Sequence, residues 1–194
     1  ELIGIANTGN FDLMIVGVGR SIYEGTLLGR LVGLTSRIID PERLIGTLTG
    51  RERLFEQAEF EDRVRQIVKE TRIPVGIYVD KGLERMQNVV IPLFGLGDSF
   101  LLTYAQKLQL NQGARITLLD LANVFQQNPE LRNIVESMQR AEHGSMEVRN
   151  GPIDGGSPLK DQGFMLIGLD SWKRAVQSEA TWLSQAPSML IMRA

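Results

Sequence analysis

Cysteine is absent from the 194 residues, and histidine occurs once, as His143. The first absence excludes disulfides, thiolate metal sites and a cysteine nucleophile. The second excludes a histidine-rich metal centre and leaves no Ser/His/Asp set to assemble. A charge excess is also missing: 21 basic residues stand against 23 acidic ones, for a net charge of −2. That balance provides neither the basic face that nucleic acid requires nor a polybasic membrane anchor. Long apolar runs are missing too. Leu13–Val18 and Val89–Leu96 fall far short of the roughly 20 residues that a membrane-crossing helix needs. Glu1-Leu2-Ile3 carries no basic segment of a signal peptide. The chain therefore reads as soluble, and any membrane role is expected to lie in polypeptide outside it. Carboxylate pairs such as Glu59 and Glu61 sit on a charged helical stretch with no apolar pocket in sight. No enzyme and no metal site are expected.

What is present is the composition of a folded domain, 43% hydrophobic and 23% charged. Continuous apolar runs at 13–16, 75–79, 89–94, 115–119, 164–167 and 189–192 lack strict alternation. Such runs suit strands covered on both faces, as in a parallel sheet. Between them lie helical stretches. Ser99–Gln109 spaces Leu101, Leu102, Ala105 and Leu108 helically, with Asp98 or Ser99 as its cap and Gly113 after its end. Pro129–Glu142 is capped by Asn128 and stopped by Gly144. Trp172 and Trp182 fall on a last helix as packing residues, and His143 is a capping or surface group at a helix end. Alternating strands and helices predict an α/β, Rossmann-like architecture.

An internal repeat organises these elements. Asp12-Leu13-Met14-Ile15-Val16-Gly17-Val18 matches Gly163-Phe164-Met165-Leu166-Ile167-Gly168-Leu169, and Ile73–Val79 matches Ala186–Met192. Gly168 and Pro187 are 19 positions apart and Gly17 and Pro74 are 57 apart, so the first copy carries about 38 extra residues. That insertion is Gly-punctuated, apolar across Ile22–Leu48 and charged and helical across Arg51–Glu70. A full β-α-β-α-β run, 89–148, precedes the second copy, whereas Glu1–Asn10 alone precedes the first. The expected organisation is an incomplete first repeat over 1–83 and a complete second repeat over 84–194.

This order of elements resembles the universal stress protein fold, which implies a parallel five-stranded sheet of order 3-2-1-4-5 in the second repeat. The junction Ile73-Pro74-Val75-Gly76-Ile77-Tyr78-Val79-Asp80-Lys81-Gly82-Leu83, followed by Phe94-Gly95-Leu96-Gly97-Asp98, is similar to a stretch of the monovalent cation:proton antiporter-2 family. That family includes the plant cation/H+ exchangers. The resemblance implies a cytosolic regulatory domain at the cytoplasmic face of a membrane, behind the transmembrane part of a K+ or Na+/H+ antiporter. It implies that transmembrane domain as partner and a homodimer as assembly. The alternative is a stand-alone tandem universal stress protein that binds a nucleotide.

Candidate ligand-binding residues follow from Gly-rich turns that lead into helix N-termini, where backbone N–H groups receive anions. They are Gly95, Gly97, Asp98 and Ser99, then Gly168 and Asp170, and in the first half Gly17, Gly19 and Arg20. A nucleotide is the possible cofactor. The Gly-x-x-Gly of nucleotide-binding stress proteins is broken here: Ser171 stands at its second glycine, and apolar Leu93-Phe94 replaces the expected acidic residue. Weak or no ATP binding is therefore expected. Gly151–Pro158 is the clearest loop, a connector beside the same crevice.

Overall fold

The computed structural model describes residues 1–18, 63–141, 145–153, 157–178 and 180–194. Gly19, Arg20, His143, Gly144, most of the inserted segment and the centre of the 151–158 loop lie outside the described residues.

Among the described residues seven strands form one sheet: β1 (Met14–Val18), β2 (Val75–Val79), β3 (Asn88–Leu93), β4 (Arg115–Asp120), β5 (Met146–Asn150), β6 (Phe164–Gly168) and β7 (Ser188–Arg193). Their spatial order is β1-β2-β7-β6-β3-β4-β5. Every neighbouring pair is parallel except β2 and β7. The five strands of the second repeat keep the expected order 3-2-1-4-5. The sheet as a whole departs from a five-stranded one, because β1 and β2 extend it past β7.

The apolar runs sort by alternation onto two cores. Val90, Met165, Ile167, Met189 and Ile191 face one cluster. Val89, Ile91, Phe164, Leu166 and Met192 face the other. Burial on both faces is why these strands read as continuous apolar runs rather than as alternating ones. Both edge strands are exceptions: Ile15 is exposed on β1, and on β5 the exposed pair is Glu147 and Arg149. They pair at 2.8 Å and put charge where an open edge would otherwise invite pairing.

Helices cover both faces. Short α1 (Leu2–Thr8) precedes β1, and residues 63–70, α2, are helical. The helix α3 (Leu101–Gln112) buries Leu101, Leu102 and Ala105, and ends at Gly113, whose φ of 61° lies in the left-handed region that glycine enters freely. The one-turn α4 (Val124–Gln127) leads into α5 (Pro129–Ala141). Asn128 caps α5, accepting the Leu131 N–H at 3.1 Å. The last helix, α6 (Leu169–Gln177), follows β6 without a break. Trp182 is not on it, contrary to the sequence expectation: it sits on a separate 3-10 turn, Thr181–Gln185. Its ring meets Trp172 edge-on at 6.5 Å, and both indoles are buried.

The antiparallel seam gives the sheet a local two-fold. Val75 pairs with Arg193, Ile77 with Ile191 and Val79 with Met189. Met14 pairs with Val75, and Met165 pairs with Met189. Equating Met14 with Met165 therefore equates Val75 with Met189 and sets the axis through Ile77 and Ile191. The sequence match of Val75 to Ser188 is one residue out of step with this axis, because β7 begins one residue earlier. Arg193 pins the seam, donating from Nη2 to the carbonyls of Thr71 (2.6 Å) and Ile73 (3.0 Å).

Candidate functional site

The chain leaves β3 towards β4 on one side and leaves β6 towards β7 on the other. The crevice where these neighbouring strands end is the topological switch point, the place where open α/β sheets bind ligands. Three segments converge there: the turn after β3, the start of α6 and the aromatic pair Phe94–Trp182, stacked at 6.3 Å between ring centroids.

Asp98 lies at the end of a 3-10 turn, Leu96–Asp98, and is 4% exposed. It does not cap α3, as its position in the sequence suggests. That helix starts at Leu101, and no side chain caps it. The Asp98 carboxylate turns the other way. Its Oδ2 accepts the Phe94 N–H at 2.8 Å. Both carboxylate oxygens lie within reach of the Ser171 hydroxyl, Oδ1 at 2.8 Å and Oδ2 at 2.7 Å. The Ser171 Oγ in turn accepts a hydrogen bond from Arg174 Nη2 at 3.0 Å. Ser171 is fully buried, and Gly168 leaves the space that Asp98 fills. A Cβ built on Gly168 would stand 2.2 Å from Asp98 Oδ1. Glycine is required here by close approach rather than by φ.

The chain's own carboxylate thus sits at the start of α6, a helix whose dipole favours negative charge there. Of the candidate residues, the structure brings Asp98 and Gly168 together. Gly95 precedes the carboxylate-bearing turn and Gly97 lies within it, and no heavy atom lies within 4 Å of where a Cβ would stand on either. Ser99 is half-buried at the start of α3. Asp170 points away: its side chain is 89% exposed and meets Lys173 at 3.4 Å. Gly17 lies within β1, the edge strand at the far end of the sheet, and is exposed. Arg174 and the Phe94 amide are the partners that residue-by-residue reading does not reveal, since neither belongs to a local motif. A second buried carboxylate, Asp120 at the end of β4, caps α4 by accepting the N–H groups of Val124 (2.7 Å) and Phe125 (3.1 Å).

The junction between the repeats is bolted to the last strand. Asp80 Oδ1 accepts the N–H groups of Gly82 (3.0 Å) and Leu83 (3.1 Å), which hold its carboxyl below the usual range. Gly82 takes a φ of 92°, which disfavours other residues. Lys81 donates its N–H to Ser188 Oγ at 2.8 Å and its ammonium to the Ala186 carbonyl at 2.7 Å. Burial lowers the Lys81 pKa from its ordinary 10.5 to about 8. The folded state then sheds this proton near pH 8 while the unfolded state keeps it to about 10.5, so stability is expected to rise with pH across that interval. Tyr78 and Tyr104 are both pushed above 10, chiefly by burial, and work in the opposite sense only at higher pH. Urea titrations between pH 7.5 and 9.5 are the check. The rise should be present in the native chain and absent in Lys81→Met, and an equal rise in both would assign it elsewhere.

On the α3 face, a groove of about 360 Å3 runs between α3 and strands β1, β2, β7 and β6, lined by Ile15, Tyr78, Tyr104, Leu166 and Leu190 among others. Ile15 is 59% exposed. Its repeat counterpart Leu166 is 1% exposed, covered because β3 and α3 flank β6.

Among the described residues no cluster of three or more His, Cys, Asp or Glu side chains could hold a metal ion, and no helix is long and apolar enough to cross a membrane. No protein-family model matches the chain, and no curated protein matches it. Among solved structures, the chain is similar to a universal stress protein from Archaeoglobus fulgidus DSM 4304, at 12% identity and a TM-score of 0.47, over 93% of this chain and 94% of that one.

Proposed function

We propose that this chain is a non-catalytic regulatory module of a membrane cation/proton antiporter, one that works through contacts with protein rather than through a bound nucleotide. The observation that carries the second half of this reading is the buried Asp98–Ser171 contact, which sets a carboxylate at the start of α6, where an incoming phosphate would meet like charge. It weighs against the alternative, a stand-alone nucleotide-binding stress protein. The antiporter half rests on the likeness of residues 73–83 and 94–98 to the tail of that family. In this reading the partner is the transmembrane domain of the same polypeptide, the module lies at the cytoplasmic face, and the tails pair as a homodimer.

Three measurements test it. The gene encoding the chain should specify a series of apolar spans of about 20 residues in the same reading frame; a gene without them removes the antiporter reading. Calorimetry of the 194-residue chain with ATP is expected to show no saturable binding. Micromolar affinity would favour the stand-alone alternative. Light scattering at tens of micromolar reports the dimer, and a monomer mass would confine pairing to the membrane part.

A further inference from the structure

We propose that β1 is a pairing edge: a second copy of this chain docks on it, β1 antiparallel to β1, so that the two sheets run on as one. The proposal rests on the dimer part of the reading above and names its surface; it makes no use of the antiporter assignment.

The two edges of the sheet are unlike. β5 presents exposed Glu147 and Arg149, charges that deter pairing. β1 carries no charged residue, and among the described residues β2 is its one neighbour. Exposed apolar side chains gather on the same side. Of the seven large ones among the described residues, Leu2, Ile5, Phe11 and Ile15 lie within β1 or shortly before it, a patch rather than scattered singles. The backbone then sets the register. Met14 donates its N–H to the Pro74 carbonyl at 2.9 Å, so Met14 and Val16 turn their polar groups towards β2, while Ile15 and Gly17 turn theirs outward. Antiparallel pairing with Val16 on the two-fold axis makes Ile15 and Gly17 of the second copy a hydrogen-bonded pair, and the axis repeats that pair. Gly17 has room for it, since no heavy atom lies within 4 Å of where its Cβ would stand. The chain builds this arrangement once already. At the β2–β7 seam Gly76 pairs with Met192, and Leu190 lies over it, its Cδ1 2.8 Å from the position of a Cβ. Pairing of β1 with β5 of another copy would instead cover the Glu147–Arg149 pair and stack without closing, whereas β1 on β1 closes as a dimer.

The absence of cysteine makes the test specific. On the axis, Val16 of the two copies is a directly opposed pair without hydrogen bonds, with Cα atoms about 4.5 Å apart, inside the reach of a disulfide. The full chain carrying Val16→Cys, treated with diamide, should therefore link mostly into covalent dimers, and Arg149→Cys on β5 should link at least about tenfold less. An edge of this size is at the small end of interfaces, so the Kd is expected on the order of 10 µM. Light scattering at about 100 µM, well above that Kd, should then give the native chain close to twice its 21.6 kDa. Ile15→Lys, a charge on an exposed edge position, should return it to 21.6 kDa. A native monomer at that concentration overturns pairing of any kind. A dimer that Ile15→Lys leaves intact and Val16→Cys does not link overturns this surface and leaves the dimer reading standing. Equal linking at Val16 and Arg149 overturns it as well, because collision rather than docking would then explain the disulfide.

Discussion

Gly168→Ala is expected to destabilise the chain by about 2–3 kcal/mol, the range of an overpacked core. Most of that cost should vanish when Asp98 is already alanine. The physical cause is one contact. A methyl group at 168 falls 2.2 Å from Asp98 Oδ1, and Asp98 sits where it does because Ser171 and the Phe94 amide hold it there. Asp98→Ala alone leaves that amide and hydroxyl without their acceptor, at about 1–3 kcal/mol. The two losses are one event, so the double variant should fall short of their sum by about 1–2 kcal/mol, as contacting residues in a shared network do. Urea unfolding of the four chains supplies the cycle. Strict additivity would mean that the carboxylate does not rest against Gly168.

Ile191→Ala is expected to cost more, about 3–4 kcal/mol, within the range for a large aliphatic side chain deleted from a core. Ile191 is 1% exposed and pairs with Ile77, itself 1% exposed, at the centre of the antiparallel seam. A cavity there is bounded by strands from both repeats, so neither half can collapse into it without shifting the register of the other. Ile15→Ala is the matched control. That side chain is 59% exposed, and its loss should stay within about 0.5 kcal/mol. If the two substitutions cost the same, the seam is not where the sheet's cohesion lies.

The sheet was legible in the sequence because burial on both faces leaves a signature that needs no partner to be recognised. Val89–Leu93 and Phe164–Gly168 are apolar throughout, and the structure buries both at adjacent, parallel positions. The repeat of Met14–Val18 in Met165–Leu169 was legible too, and the structure explains it: the strands that follow each copy, β2 and β7, cover each other's edges. The crevice was not legible. Asp98 precedes a helix, and a carboxylate there ordinarily caps it. Its actual partner, Ser171, is 73 positions away, and no local pattern announces a contact of that span. Trp182 misled for a related reason. Helical spacing continued the count from Trp172, but the chain breaks at Ser178, so the second indole returns from a separate turn. The one-residue slip between the sequence repeat and the structural axis has the same origin: a proline marks where a strand can begin, not which residue pairs with which.

The seam also sets an order of events during synthesis. Lys81 and its partner Ser188 are 107 positions apart, and the ladder from β2 to β7 joins residues slightly farther apart, from Val79 with Met189 to Val75 with Arg193. At ribosomal speeds of about 5–20 residues per second, the inner edge of β2 waits some 5–20 s for its mate. Through that interval Val75–Val79 is an apolar strand with one row of backbone groups unclaimed, the condition under which nascent chains pair with the wrong neighbour. β7, made well after β2, is therefore the strand that retires the hazard. Any delay in translating the final stretch prolongs exposure of a segment made long before it, and rare codons there would be read out as aggregation of the first half rather than of the second.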